Sequence, residues 1–136
     1  ASSNDVNVFI HDYIQFDPDW WNGYKEFGFD WDISISPIIR LNGTRGADWI
    51  ASSFRPANKG RFSNCHLIDY SDSSAKDCQY IPGNYWLSKK YVLETDPIDP
   101  NLSAFQMEDV EWSCRVLEKY SFVLNPLSKV RELRVL

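Results

Sequence analysis

The feature that most confines this chain is the shortness of its apolar runs. Val6 to Ile14, Trp31 to Leu41 and Tyr85 to Leu93 are the main ones, and turn-forming residues punctuate the sequence between them. None approaches the ~20 apolar residues that a membrane-spanning helix needs, and no charged-then-apolar secretory leader is present. Short runs broken by Asp-Pro, Asn-Gly and Pro-Gly signals build short strands and helices, so the chain reads as α/β. Its 136 residues, 43% of them hydrophobic, suffice for one domain with a packed core.

Val6 to Ile14 reads as a strand buried on both faces, because Val6, Val8, Phe9, Ile10 and Ile14 are strand formers with few polar interruptions. Asp17-Pro18-Asp19 has the pattern of a helix start, with Asp17 as N-cap and Pro18 at the first helical position. Trp20, Tyr24 and Phe27 follow at helical spacing, and Gly28 stops the helix. Ile33, Ile35, Ile38 and Ile39 predict a second strand, with Pro37 marking an edge or a bulge. Asn42-Gly43 predicts a hairpin turn that returns the chain through Arg45 to Ala51. From Ser52 to Lys76 the sequence is polar and aperiodic, the pattern of a functional loop or a partly disordered one. Order returns at Gln79-Tyr80-Ile81, and Tyr85 to Leu93 predicts a strand running into a helical turn. Thr95 to Asn101 reads as a loop. A helix from Ser103 to Tyr120 follows, with Phe105, Val110, Trp112, Val116 and Leu117 as its core residues. Ser121 to Leu124 reads as a strand and Val130 to Leu136 as a terminal element. No repeat or linker divides residues 1–136.

Fourteen Lys and Arg against nineteen Asp and Glu give a net charge of −5, which argues against a generic basic nucleic-acid binder. Aromatic residues reach 15%; rings build cores, and a surplus lines sites where sugars stack. Cys65, Cys78 and Cys114 show no zinc spacing, and their odd number points to a reducing, cytoplasmic setting. Two N-glycosylation sequons, at Asn42 and Asn101, carry little weight without a leader. Cys65-His66 reads as a buried thiol beside an unrelated His, with metal ligation the lesser alternative.

Three constellations could carry chemistry. Asp12, after His11, sits where an open α/β sheet places ligands; a carboxylate there suits Mg²⁺ or Mn²⁺, or simply forms a turn. Glu108, Asp109 and Glu111 open a helix, where the dipole favours acids on its own account. Glu108 and Glu111 share a face while Asp109 points about 100° away, so one acid can serve as a general base while another makes structural bonds. In Pro82-Gly83-Asn84-Tyr85-Trp86, the Gly permits close backbone approach and the Tyr-Trp pair offers a stacking platform.

In this order and spacing, the strand ending in His11-Asp12-Tyr13, the Pro82-Gly83-Asn84-Tyr85-Trp86 turn and the Glu108-Asp109-Val110-Glu111-Trp112 helix resemble nucleotide-sugar glycosyltransferases of the GT-A fold. They are most similar to small glycosyltransferases of large algal viruses and to family-2-like bacterial enzymes. The resemblance implies a GT-A-like mixed sheet flanked by helices. It implies Asp12, with His11 beside it, as the acid for Mn²⁺ or Mg²⁺ on the donor diphosphate. Asp109 becomes the catalytic base and Glu108 its alternate. Gly83, Asn84, Tyr85 and Trp86 would line the acceptor side, and Arg45, Asp48 and Trp49 would reach the same cleft. The implied activity is transfer, with inversion at the anomeric carbon, from a nucleotide-diphosphate sugar to a glycan or glycoprotein hydroxyl. Two features depart from the family: only Asp12 stands for its usual D-x-D, and the N-terminal nucleotide-binding strands are lacking. The resemblance therefore implies the C-terminal portion of a longer enzyme, working with its missing half. A non-catalytic carbohydrate-binding domain using exposed Trp and Tyr is the alternative, and a purely structural domain a third reading.

Overall fold

Pro37 splits the second apolar run into strands that serve different sheets. Proline has no N–H to give a ladder, and Ser36-Pro37 forms the corner between β3 (Ile33–Ile35) and β4 (Ile38–Arg40). The structure is a computed structural model and describes residues 5–52, 65–72, 79–102 and 108–134. Before the corner come β1 (Val6–Ile10), β2 (Ile14–Phe16) and α1 (Trp20–Phe27). After it come β5 (Ile50–Ser52), β6 (Cys65–Leu67), β7 (Gln79–Tyr80), β8 (Tyr85–Lys89), α2 (Lys90–Thr95), α3 (Glu108–Val116), β9 (Phe122–Leu124) and β10 (Val130–Glu132).

The described strands form three small sheets, ordered β1-β8-β3-β9, β2-β10-β4 and β6-β5-β7. β8 runs antiparallel to β1 and β3, whereas β9 is parallel to β3, and β10 to β4. The chain is therefore mixed α/β, with several small sheets and few helices. Two segments turn the same corner side by side: Asn125 N–H donates to the Ile35 carbonyl (2.8 Å), and Val130 N–H to that of Pro37 (3.0 Å).

The four-stranded sheet is covered on both faces. α1 brings Trp20 and Tyr24 onto the side that holds Tyr85, Leu87 and Ser34, whose Oγ bonds the Tyr24 hydroxyl (2.9 Å). α2 and α3 bring Val92, Trp112 and Val116 onto Ile33 and Trp86. The period-2 alternation of a strand sends Tyr85 and Leu87 one way and Trp86 the other, which is why all of β8 is buried. Each fully buried large side chain of this kind contributes about 1.5–3 kcal/mol. α1 can approach so closely only because residue 23 is Gly: a Cβ there would lie 2.5 Å from the Leu127 carbonyl oxygen.

Several local expectations hold. Gly28 ends α1 at φ +88°, and Asn42-Gly43 makes the hairpin turn with Gly43 at φ +83°. The 85–93 segment is a strand running into a helix. Others need correction. The 6–14 run is not one strand buried on both faces. β1 is an edge strand whose Val8, Phe9 and Ile10 are 40–42% exposed, and Ile14 starts β2 in another sheet. The reason lies in residues 11–13: Ile14 N–H donates to the His11 carbonyl (3.1 Å), closing a strand-to-strand turn rather than a strand-to-helix one. Asp17 is not the N-cap. α1 begins after Asp19, and the Asp17 carboxylate instead accepts from Arg131 Nε (2.9 Å) on β10. The helix expected from Ser103 is described only from Glu108; its start, Phe105 and Cys78 lie outside the described residues. So does most of the 52–76 segment, although β6 falls within it. Among the described residues, no helix is long and apolar enough to cross a membrane.

Candidate functional site

The first and last constellations meet through the turn between them. At one end of the four-stranded sheet, His11 N–H donates to the Asn84 carbonyl (3.0 Å), joining the end of β1 to the start of β8. On the same turn, Gly83 faces α3: a Cβ built on it would sit 3.2 Å from Asp109 Oδ2. Any side chain at position 83 would press on that carboxylate. α3 is pinned in this register by Ser113, whose Oγ accepts the Ile81 N–H (2.9 Å) and donates to the Asp109 carbonyl (2.6 Å). Trp112 Nε1 donates to the Asp96 carbonyl (2.7 Å) and locks the helix from its buried side. Asp109 itself is half-buried.

The turn also carries an unsatisfied group. Asn84 is buried, and among the described residues its Oδ1 has no hydrogen-bond partner. An orphaned buried acceptor is destabilising unless a water or a ligand donor reaches it. The His11 ring stacks on Tyr13 (5.2 Å between centroids) and meets Phe9 edge-on (5.9 Å). Burial pushes the Tyr13 phenol up, against the pull of the Arg134 guanidinium 4.3 Å from its ring centroid. Asp12 is exposed at the tip of the turn.

Two acids of α3 point different ways. Asp109 faces the Gly83 turn, while Glu111 pairs with Arg115 one helical turn on. Glu108 is the first residue of α3.

Tyr85 and Trp86 belong to the core rather than to an open platform. The Tyr85 hydroxyl bonds Trp20 Nε1 (2.7 Å) and Ser36 Oγ (2.6 Å), and its burial pushes the phenol up to about 12. Trp86 is 3% exposed and lies between Phe9 (5.1 Å, 7° between planes) and Trp112 (4.6 Å). β8 has neighbours on both sides and helices on both faces, so neither ring keeps a free face.

Arg45, Asp48 and Trp49 are not brought to this turn. Asp48 is fully buried and accepts from Ile38 N (2.9 Å), Tyr70 Oη (2.6 Å), Arg45 Nε (2.9 Å) and Trp49 N (2.6 Å). Arg45 stacks on Tyr70, and Trp49 packs on Phe122 of β9, the edge strand opposite β1. The cluster is a structural clasp for the hairpin. Burial, then the Asp48 carboxylate, drives the Tyr70 phenol well above its usual range.

Sequence reasoning missed Ser113 and Tyr70. Ser113 had a signal, since a serine four residues after Asp109 falls beside Trp112 among the core positions of the helix. Comparison of the chain with protein-family models, curated proteins and solved structures finds no match in any of the three.

Proposed function

We propose that this chain carries the acceptor and diphosphate end of a GT-A-like glycosyltransferase. The observation that supports the reading is the convergence of three distant segments: His11-Asp12, Gly83-Asn84 and Asp109 gather at one end of the sheet. In the reaction, the Asp109 carboxylate takes the proton of an acceptor hydroxyl. The hydroxyl oxygen bonds to the anomeric carbon of the donor, and the bond to the diphosphate oxygen breaks with its electron pair leaving on the diphosphate. The Asn84 amide, with an Oδ1 unpaired among the described residues, orients a sugar hydroxyl.

Among the described residues, no three His, Cys, Asp or Glu side chains form a metal-ligating group, so Asp12 offers one exposed carboxylate. That donor set fits a Mg²⁺ or Mn²⁺ ion that arrives with a diphosphate and keeps its water and phosphate ligands. When bound, such an ion supplies charge neutralisation for the leaving diphosphate.

The test is isothermal titration of UDP and GDP into the chain, with and without Mn²⁺. Mn²⁺-dependent binding that vanishes in Asp12→Ala and survives in Asp109→Asn is expected. A folded chain that binds neither nucleotide, or binds both equally well after Asp12→Ala, overturns the assignment.

A further inference from the structure

The opposite end of the four-stranded sheet holds a cleft of about 500 Å³, within the range of small-molecule sites. It opens where β8 ends at Lys89 and where β3 and β9 begin, after Asp32 and Ser121. Its polar groups are unusual in their accounting. Lys89 is 6% exposed, yet among the described residues no carboxylate lies within 4.0 Å of its ammonium. The ammonium donates to the Phe29 carbonyl and lies 5.1 Å from the centroid of the Trp31 ring. An ammonium has three N–H donors, and this one acts on the Asp32 carboxylate through its charge, helping to hold that carboxyl down, without a direct ion pair. The residue lines the cleft, where the remaining donors can meet a ligand.

Asp32 is placed just as firmly. Its carboxylate accepts the Tyr91 hydroxyl and the Ser121 N–H (2.7 Å), while its own N–H donates to Ser121 Oγ (2.9 Å). Burial pushes its carboxyl up, but the bonds from Tyr91 and Ser121 outweigh that and hold it below the usual range. It is an anion with lone pairs to spare, since a carboxylate can accept about four hydrogen bonds. Asp30 adds an exposed carboxylate at the rim, and Phe29 and Tyr91 supply ring surface.

Two carboxylates beside one ammonium disfavour an anionic ligand, and the buried ammonium disfavours a cationic one. A neutral ligand whose hydroxyls both donate and accept, and whose C–H face can lie on a ring, satisfies every group. We propose that this cleft binds a neutral saccharide unit, with hydroxyls donating to Asp30 and Asp32 and accepting from Lys89. The inference is independent of the transferase reading, because the two sites stand at opposite ends of the sheet.

The test is calorimetric titration of the whole chain with glucose, galactose, mannose, N-acetylglucosamine, maltose, cellobiose and lactose, with inorganic phosphate as the anionic probe. At least one saccharide is expected to bind, and phosphate to give no heat. Asp30→Asn and Lys89→Met should each weaken saccharide binding about tenfold or more, the loss of one hydrogen bond to a charged group. Asp30 is exposed on the rim, so its variant keeps the fold even where Lys89→Met unfolds, and circular dichroism checks both. A folded chain that binds none of the saccharides overturns the proposal. So does binding undiminished in the folded variants, or phosphate binding that Lys89→Met abolishes.

Discussion

Replacing Tyr85 by Phe separates a core role from a surface one. In the structure the Tyr85 hydroxyl is the partner of Trp20 Nε1 at 2.7 Å and of Ser36 Oγ at 2.6 Å, and Tyr85 and Ser36 are both fully buried. Tyr85→Phe removes one oxygen and leaves an indole N–H and a serine hydroxyl without that partner. Each orphaned buried group costs about 1–3 kcal/mol. The phenol's own desolvation, of about 1–3 kcal/mol, disappears with it and offsets part of that loss. The expected net destabilisation is about 2 kcal/mol. With a urea m-value of about 1–3 kcal/mol/M for a small protein, the midpoint should fall by about 1 M. The assay is equilibrium urea unfolding followed by tryptophan fluorescence and far-UV circular dichroism, whose transitions must coincide for the two-state treatment to hold. A midpoint equal to that of the unmodified chain would refute the reasoning. It would show that the hydroxyl is solvated, as a ligand-facing tyrosine would be.

Gly23→Ala sets helix propensity against packing. Alanine gains about 1 kcal/mol within a helix, but its Cβ would lie 2.5 Å from the Leu127 carbonyl and 2.3 Å from Ser128 Oγ. A net loss of about 2 kcal/mol is expected in the same urea assay, and an unchanged or higher midpoint would show that α1 does not rest on that turn. The buried phenols make stability fall in alkali. Burial raises the folded pKa of Tyr24 and Tyr85, that of Tyr85 to about 12. Their contribution is complete below the unfolded value of about 10 and is lost as pH rises through the folded values. Urea midpoints measured from about pH 9 to 12 should therefore decline, and decline less steeply in Tyr85→Phe; parallel curves for the two chains would contradict the burial of this group.

The local elements were legible because their signals are local. Gly28 and Gly43 occupy positive-φ positions that few other residues tolerate, and the 85–95 segment changes from strand to helix where its pattern changes. What the residues could not show is which strands become neighbours. Val6 to Ile10 is apolar whether it lies in the middle of a sheet or at its edge; its place depends on β8, almost eighty positions away in the register. Pro37 announced an interruption, but the corner it makes depends on Asn125 and Val130 bonding around it. The same limit holds for the sites. Nothing near Gly83 in the chain says that Asp109 will face it, and a Tyr-Trp pair after a turn suits a platform as well as a core. Helices on opposite faces of β8, α1 on one and α2 with α3 on the other, decided for the core. The Lys89–Asp32 cleft joins segments with no shared motif, so only the folded chain displays it.

The strand order has a consequence for how the protein comes into being. β10 is the latest strand in chain order among those described, yet it lies between β2 and β4 in its sheet. Arg131 and the Asp17 it binds are separated by 114 positions. At about 5–20 residues per second of synthesis, roughly 6–23 s pass between the making of those two partners. During that interval β2 and β4 have no ladder partner in their sheet, and β9 is likewise missing beside β3. Such long-range pairings slow folding and keep strand edges open meanwhile. The strand made latest is the one for which both of its neighbours wait.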